Sequence, residues 1–289
     1  MAEAGRPRMS PAERDRRAGL SVRQAVALGV LHGPAELLPI SSSGHVTAIP
    51  WLLGWRYQEL DVELRKSFEV ALHAGTAAAL LIVLRSEVDE AVRELDGRRV
   101  SLILLTFAPP ALAGYALERT IERNLGTPRA VAAGLIAGAV AMAIADRAPQ
   151  TRSHREAGSA DAVWLGLAQA CALVPGVSRN GATLAAARLL RFARADANRL
   201  SRHAALPVIA GATLLKGLRL ARRGLDPQTG AAFGAGAAAS FASTLVSTWL
   251  IRQVERDRSL VPYAIYRVAL AAAMIRRLAR VSEGHASST

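Results

Sequence analysis

Long uncharged runs alternate with short charged or polar breaks along this chain. Leu37–Trp55, Val100–Leu117, Ala130–Ala145, Ala162–Ser178 and Pro227–Ile251 contain no Asp, Glu, Lys or Arg. Several reach or approach the ~18–20 residues that a helix needs to cross a bilayer. Val70–Leu84 and His203–Leu215 are shorter, suited to crossings with snorkelling ends or to burial within protein. The breaks are legible as "SEVDEAVRELDGRR" at 86–99, "RAPQTRSHREAGSA" at 147–160 and the turn-rich "RRGLDPQTG". The pattern predicts an all-α polytopic membrane protein. Its helices fall near 21–33, 44–55, 67–85, 100–119, 128–146, 161–174, 182–192, 201–221, 230–254 and 260–280. A soluble helical bundle is disfavoured, because so many uncharged runs are hard to bury in one soluble core.

Two stretches break this pattern from within. "HGPAELLPISSSGH", residues 32–45, places a glutamate, two histidines, three serines, two prolines and two glycines between apolar flanks. "AQACALVPGVSRNGATLAAARLLRF", residues 168–192, does something similar. With Pro39 laid over Pro175, Ser42 falls on Ser178 and Thr47 on Thr183. A Gln-Ala pair precedes each, at Gln24-Ala25 and Gln169-Ala170, and "SFEVALHAGTAAALL" from Ser67 resembles "SRHAALPVIAGATLL" from Ser201. Paired Gly/Pro-interrupted segments in corresponding halves point to a membrane site between inverted repeats. The predicted organisation is a disordered basic tail over 1–20, one membrane domain over 21–281 with approximate repeats 21–146 and 161–281, and a disordered tail over 282–289. Two re-entrant helical hairpins would carry the two motifs.

Charge adds the next constraint. The net charge is +13, with arginines such as Arg147, Arg152 and Arg155, then Arg219, Arg222 and Arg223, assigned to connecting segments. Basic loops suit anionic lipid headgroups. Their dispersal over many short segments argues against a nucleic-acid partner. The one cysteine, Cys171, excludes an intrachain disulfide and a thiolate metal site. Residues 1–20 lack the apolar core of a cleavable signal peptide.

Irregular backbone at membrane depth is tolerated only where protein or a water-filled cavity satisfies it. Two hairpin tips facing each other would bring Glu36, Ser41, Ser42, Ser43 and His45 towards Ser178, Arg179 and Asn180. Backbone N–H groups near Gly44 and Gly181, at the starts of helical runs, make an anion site, and Arg179 brings a fork suited to phosphate. The expected ligand is a phosphate or pyrophosphate, bound by Ser41, Ser43, Gly44, Ser178, Asn180 and Gly181. Binding alone does not need Glu36, Ser42 and His45. A serine hydroxyl is a weak nucleophile until a base takes its proton, histidine can take it near neutral pH, and a carboxylate can support the imidazolium. Ser41 and Ser43, taken singly, read equally well as helix N-caps. Glu36 resists a bland reading, because a carboxylate inside an apolar segment is costly unless used or paired. Glu69 and His73 share one helical face at i, i+4 spacing and are expected to support the site or pair helices.

At these residues the sequence resembles the undecaprenyl-pyrophosphate phosphatase family, the bacitracin-resistance membrane proteins. "ELLPISSSGH" is similar to the family's Glu-Phe-Leu-Pro-x-Ser-Ser-x-Gly-His, and "PGVSRNGAT" to its Pro-Gly-x-Ser-Arg-Ser-Gly-Ala-Thr. "SFEVALHAGT", "SRHAALPVIAGA" and "PYAIYRVALA" occur in the family's order. The resemblance, over about residues 21–280, implies a multi-pass enzyme of the bacterial plasma membrane with inverted repeats and paired re-entrant segments. The family removes the terminal phosphate from the C55 isoprenyl pyrophosphate that carries cell-wall precursors. The resemblance further implies Glu36, Ser42, His45 and Arg179 as the catalytic set, dependence on a divalent cation (Mg2+ or Ca2+, with Glu36 a candidate ligand) and access from the outer face; a homodimer is allowed. Two positions depart from the family. His32 stands where it has Glu or sometimes Gln, and Asn180 replaces a motif serine. A transporter of a polyprenyl phosphate or another anion, built on the same repeats, is the competing expectation.

Overall fold

The computed structural model describes residues 20–93, 95–223, 225–256 and 259–286. Among them are twelve α-helices and no β-strand. In chain order they are α1 (Val22–Leu37), α2 (Ser42–Leu52), α3 (Val62–Val83), α4 (Arg85–Arg93), α5 (Gly97–Asn124), α6 (Pro128–Ala145), α7 (Ser159–Cys171), α8 (Arg179–Leu189), α9 (Arg194–Arg223), α10 (Pro227–Val246), α11 (Trp249–Arg256) and α12 (Val261–Ala286). Helix α3, the Gly97–Leu117 part of α5, α6 and α10 are long and apolar enough to cross a bilayer, and the bent pair α11–α12 adds a fifth candidate. Large apolar side chains such as Leu112, Tyr115, Ile144 and Trp164 lie exposed on the outside, as a lipid-facing surface requires.

Four boundaries differ from the sequence reading. The polar break at 86–99 contains α4, whose charged residues cover one side of a short helix. The run predicted as one helix over 230–254 divides at Ser247–Thr248 into α10 and α11. Arg219, Arg222 and Arg223, assigned to a connection, lie in the last turns of α9. Helix α12 runs on to Ala286, beyond residue 281. Of the tails assigned to 1–20 and 282–289, residues 1–19 and 287–289 lie outside the described residues, and 282–286 are helical.

Helices α1 and α7 hold 16 and 13 residues, so at 1.5 Å per residue they reach only about 24 and 20 Å. That is short of the ~30 Å hydrocarbon core. Each turns back at once into an 11-residue helix, α2 or α8. The turns match closely. Ser41 (φ 76°, ψ 92°) and Ser178 (φ 70°, ψ 115°) both take positive φ, a region costly for residues other than glycine. Each then caps the following helix: Gly44 N–H donates to Ser41 Oγ at 3.2 Å, and Gly181 N–H to Ser178 Oγ at 3.1 Å. The caps correct the sequence register by one residue. Ser41, not Ser42, corresponds to Ser178, and Ser42 corresponds to Arg179. At this register Val22 and Ser159, Ser42 and Arg179, and Leu52 and Leu189 are each 137 positions apart. Gln24 then corresponds to Asp161, and the two Gln-Ala pairs are not equivalent.

Each motif helix packs on a span from the other half of the chain. Helix α1 lies along α10, and α7 lies along α5. The α1–α10 seam is close enough that a Cβ on Gly29 would sit 2.3 Å from Gly236 O, and one on Gly75 of α3 would sit 2.1 Å from Ala237 O. Small residues let helix backbones approach where lipid supplies no hydrophobic drive between helices.

Gly29→Ala should lower the thermal midpoint in detergent by several degrees, because the methyl has no room and the helices must separate. Gly234→Ala, on α10 with nothing within 4 Å of its Cβ position, should be neutral or raise the midpoint slightly through helix propensity. Thermal unfolding of the two variants beside the parent checks both.

Candidate active site

Glu36 is the penultimate residue of α1, where Pro34 and the extended Leu38 end the helix. It is 8% exposed. The returning chain brings Ser42, at the first position of α2, back over it, and Ser42 Oγ donates to Glu36 Oε2 at 2.5 Å. From the other motif Arg179, at the first position of α8, donates through Nη2 to Glu36 Oε1. His73 of α3 places Nδ1 3.6 Å from Glu36 Oε2. One carboxylate therefore joins both hairpin tips. The equivalence of Ser42 and Arg179 explains the meeting: each heads its short helix, and both heads turn to the same buried group.

His45 does not serve Ser42. Its Nδ1 lies 2.7 Å from Ser41 O and its Nε2 2.7 Å from Tyr266 OH of α12. The pattern assigns the proton to Nδ1, donating to the carbonyl, with Nε2 accepting from the tyrosine. The ring is folded back along its own helix and stacked on Tyr266 at 5.5 Å between centroids. The expected serine–histidine pair is thus replaced by a serine–carboxylate pair, because the hairpin delivers the hydroxyl to the stronger, charged acceptor.

The expected phosphate donors are also partly committed. The N–H groups of Gly44 and Gly181 are capped by Ser41 and Ser178, whose hydroxyls act as helix caps. Ser43 Oγ, half-buried, lies 3.4 Å from Ser41 Oγ. Asn180 ties the tips together instead of facing outwards. Its Nδ2 donates to Leu37 O at 3.1 Å and its Oδ1 accepts from Ser201 Oγ at 3.1 Å. Ser201 in turn meets Thr183 Oγ1 at 2.5 Å. Glu69 is held by Lys66 at 2.7 Å, so of the α3 pair only His73 reaches the site.

A cavity opens from this centre. Glu36, Arg179, Asn180, Asn198, Ser201 and Arg202 are its polar lining, and Leu37, Leu80, Leu84, Leu206, Ile209 and Ile251 are much of its aliphatic lining. Charged groups beside aliphatic walls suit an amphiphile with an anionic head. Arg202, a second cation lining the cavity, is bonded to Glu255 at 2.6 Å and to Glu87 at 3.2 Å. Beneath the tips lies Arg267, fully buried. Its Nη2 donates to Gly176 O and Val177 O at 2.8 Å each, and Nη1 approaches Pro39 O at 3.4 Å. The reading from sequence missed it, although it is the single charge in the apolar run Ser259–Ile275. The rule that singled out Glu36 applies to it equally.

His32 sits one helical turn before Glu36. Its ring stands edge-on to His73, with centroids 4.6 Å apart. One donor atom each from His32, Glu36 and His73 lies within 4.8 Å of the others, a spacing open to a metal ion. Two imidazoles and one carboxylate do not fit the Mg2+ or Ca2+ that the resemblance implies, since both ions take oxygen ligands.

With this geometry in hand, similarity to known proteins can be placed on it. The family described as bacitracin resistance protein BacA matches residues 25–273. An undecaprenyl-diphosphatase of Geobacter sulfurreducens is 36% identical over 272 residues, covering 90% of this chain and 99% of that protein. One of Trichlorobacter lovleyi is 38% identical over 264 residues, 86% and 94% of the two chains, and one of Salinibacter ruber is 32% identical over 261 residues, 84% and 94%. The match spans both hairpins, the spans they rest on and Arg267, and the chain belongs to the bacitracin resistance protein BacA family.

Proposed function

We propose that this chain hydrolyses undecaprenyl pyrophosphate, a C55 isoprenyl pyrophosphate, to undecaprenyl phosphate and inorganic phosphate. The observation that carries the reading is the Ser42–Glu36 hydrogen bond at 2.5 Å, set beside Arg179 in the lining of a largely aliphatic cavity. The names of the relatives support it. A hydroxyl aimed at a buried carboxylate is placed to lose its proton as its oxygen attacks. In the proposed reaction Glu36 accepts the Ser42 proton as general base. Ser42 Oγ forms a bond to the terminal phosphorus, and the bond to the bridging oxygen breaks, releasing undecaprenyl phosphate. Water then cleaves the phosphoserine, inorganic phosphate leaves, and the proton held by Glu36 returns to Ser42. The same pair would serve equally to activate water directly. Arg179 spends Nη2 on Glu36 and keeps other N–H donors for phosphate oxygens, where charge accumulates in the transition state. Ser42 and Ser43 N–H groups at the head of α2 add the helix dipole to that site.

His45, stacked on Tyr266, is read as holding the α2 turn against α12. The two hairpins would enter from opposite sides as inverted repeats, with the site opening to the outer face, as the resemblance implies.

Phosphate release by the purified protein in detergent tests the reading. The parent should turn over C55 pyrophosphate; a protein that binds the lipid and releases no phosphate would be a carrier, and the reading would fall. Ser42→Ala should reduce turnover by roughly 10²-fold or more with an unchanged thermal midpoint. Near-parent turnover would remove Ser42 from both the nucleophilic and the water-activating role.

Arg179 separates recognition from support. Arg179→Lys keeps the charge and loses the fork, so its turnover should fall between those of the parent and Arg179→Ala. The alanine variant should be the weakest in turnover as well as apparent affinity, because charge moves onto the leaving phosphate as the bond breaks. Full activity in Arg179→Ala would place the second motif outside the reaction.

A further inference from the structure

The His32 side chain poses a problem that the phosphatase chemistry leaves unsolved. The residue is 1% exposed, and its Nε2 is buried without a hydrogen-bond partner. Leaving such an atom unsatisfied costs on the order of 1–3 kcal/mol. Its other nitrogen is well served. Nδ1 lies 3.0 Å from Thr76 Oγ1 and 3.2 Å from Ser240 Oγ. Ser240 Oγ donates to Leu72 O at 2.9 Å and so can accept from Thr76 Oγ1, 2.8 Å away. Thr76 then accepts from His32. This chain of donors assigns the proton to Nδ1 and leaves a bare lone pair on Nε2. The ring is gripped by hydroxyls from α3 and α10, and its orphan atom belongs to the cluster with Glu36 and His73.

We propose that His32, His73 and Glu36 form a binding site for one first-row transition-metal dication of the zinc and cobalt kind, in place of a magnesium or calcium site. The donor set is two imidazoles and one carboxylate, which suits such ions and not the hard cations. Metal-bound histidines characteristically donate their second ring N–H to a fixed acceptor, and the Thr76–Ser240 pair supplies one. Bonds of about 2.0–2.2 Å require donors sharing an ion to lie within about 4.4 Å of each other. All three donor atoms lie within 4.8 Å of one another, so any closure the ion needs is at most a few tenths of an ångström. His73, with a side chain 30% exposed, has the freedom to make it. Glu36 remains the shared member. Oε1 stays with Arg179, so the ion would bring positive charge next to the guanidinium and next to Ser42, where a pyrophosphate would bind. Its role in turnover rests on the phosphatase reading; the binding site does not.

Binding is tested without substrate. The protein, stripped with chelator in detergent, is titrated with Co2+ and its visible ligand-field absorption is followed. The parent should take up one equivalent with nitrogen-ligated bands, and equimolar Mg2+ should not displace it. His32→Gln and His73→Gln should each weaken Co2+ binding at least about 10-fold, and Thr76→Val by about 10–100-fold through the lost second bond on His32. His154→Gln, whose imidazole pairs with Asp196, should bind like the parent. His32→Glu, which replaces an imidazole by an oxygen ligand, should lose the preference for Co2+ over Mg2+. Co2+ bound equally by the parent and the His32→Gln/His73→Gln variant would overturn the proposal, as would no stoichiometric uptake by the parent. Phosphate release measured on the same preparations keeps the two readings apart. Release without Co2+ uptake sinks the metal site alone, and uptake without release sinks the phosphatase alone.

Discussion

A carboxylate buried among apolar helices is the constraint around which this molecule is arranged. Glu36 cannot keep its charge in such a place without donors, and a lone buried charge costs several kcal/mol even after relaxation. One donor, Ser42, comes from across a four-residue turn, and the other, Arg179, from the second motif 143 residues away. Satisfying Glu36 therefore requires both hairpins to be folded, turned and brought tip to tip. The electrostatic need of one side chain becomes a demand on the whole topology.

The tips are held from below by a second buried charge. Arg267 donates to carbonyls of Gly176 and Val177 and reaches towards Pro39. These carbonyls belong to turns, so no helix satisfies them, and side chains within the protein do so instead. One planar fork does for both turns what a membrane cannot. Asn180 adds a direct stitch through Leu37 O and Ser201. The irregular backbone that a catalytic site needs is thus paid for by polar side chains within the protein, and the cavity beyond it can stay apolar for a lipid tail.

The two turns are alike in local geometry and different in chemistry. The two hairpins share the 11-residue length of the second helix, the cap chemistry and the positive φ at the capping serine. Yet the position at the head of the short helix is serine in one copy and arginine in the other. The hydroxyl to be activated and the cation that balances charge arise at equivalent points, facing one carboxylate. His32 and Gln169 are also equivalent by this register, and both are buried. Only His32 stands among groups that could share an ion.

The sequence by itself determined the all-helical membrane character, the two interrupted segments and the family, because uncharged length and motif spacing are local properties. It also singled out Glu36, Ser42 and Arg179, since charge and helix-breaking residues within apolar runs are visible without a fold. Pairing was decided only in three dimensions. The motifs alone suggested His45 as the partner of Ser42; the tertiary structure gave Ser42 to Glu36 and His45 to Tyr266, residues 221 positions apart. The register between the repeats was misplaced by one residue because two prolines were matched, whereas the cap geometry that sets it depends on backbone angles. The hydroxyls of Thr76 and Ser240 carry no signal in an Ala- and Gly-rich helix. Their meaning comes from α3 and α10 packing around His32, a contact between segments 208 residues apart in the chain, which no local pattern can encode.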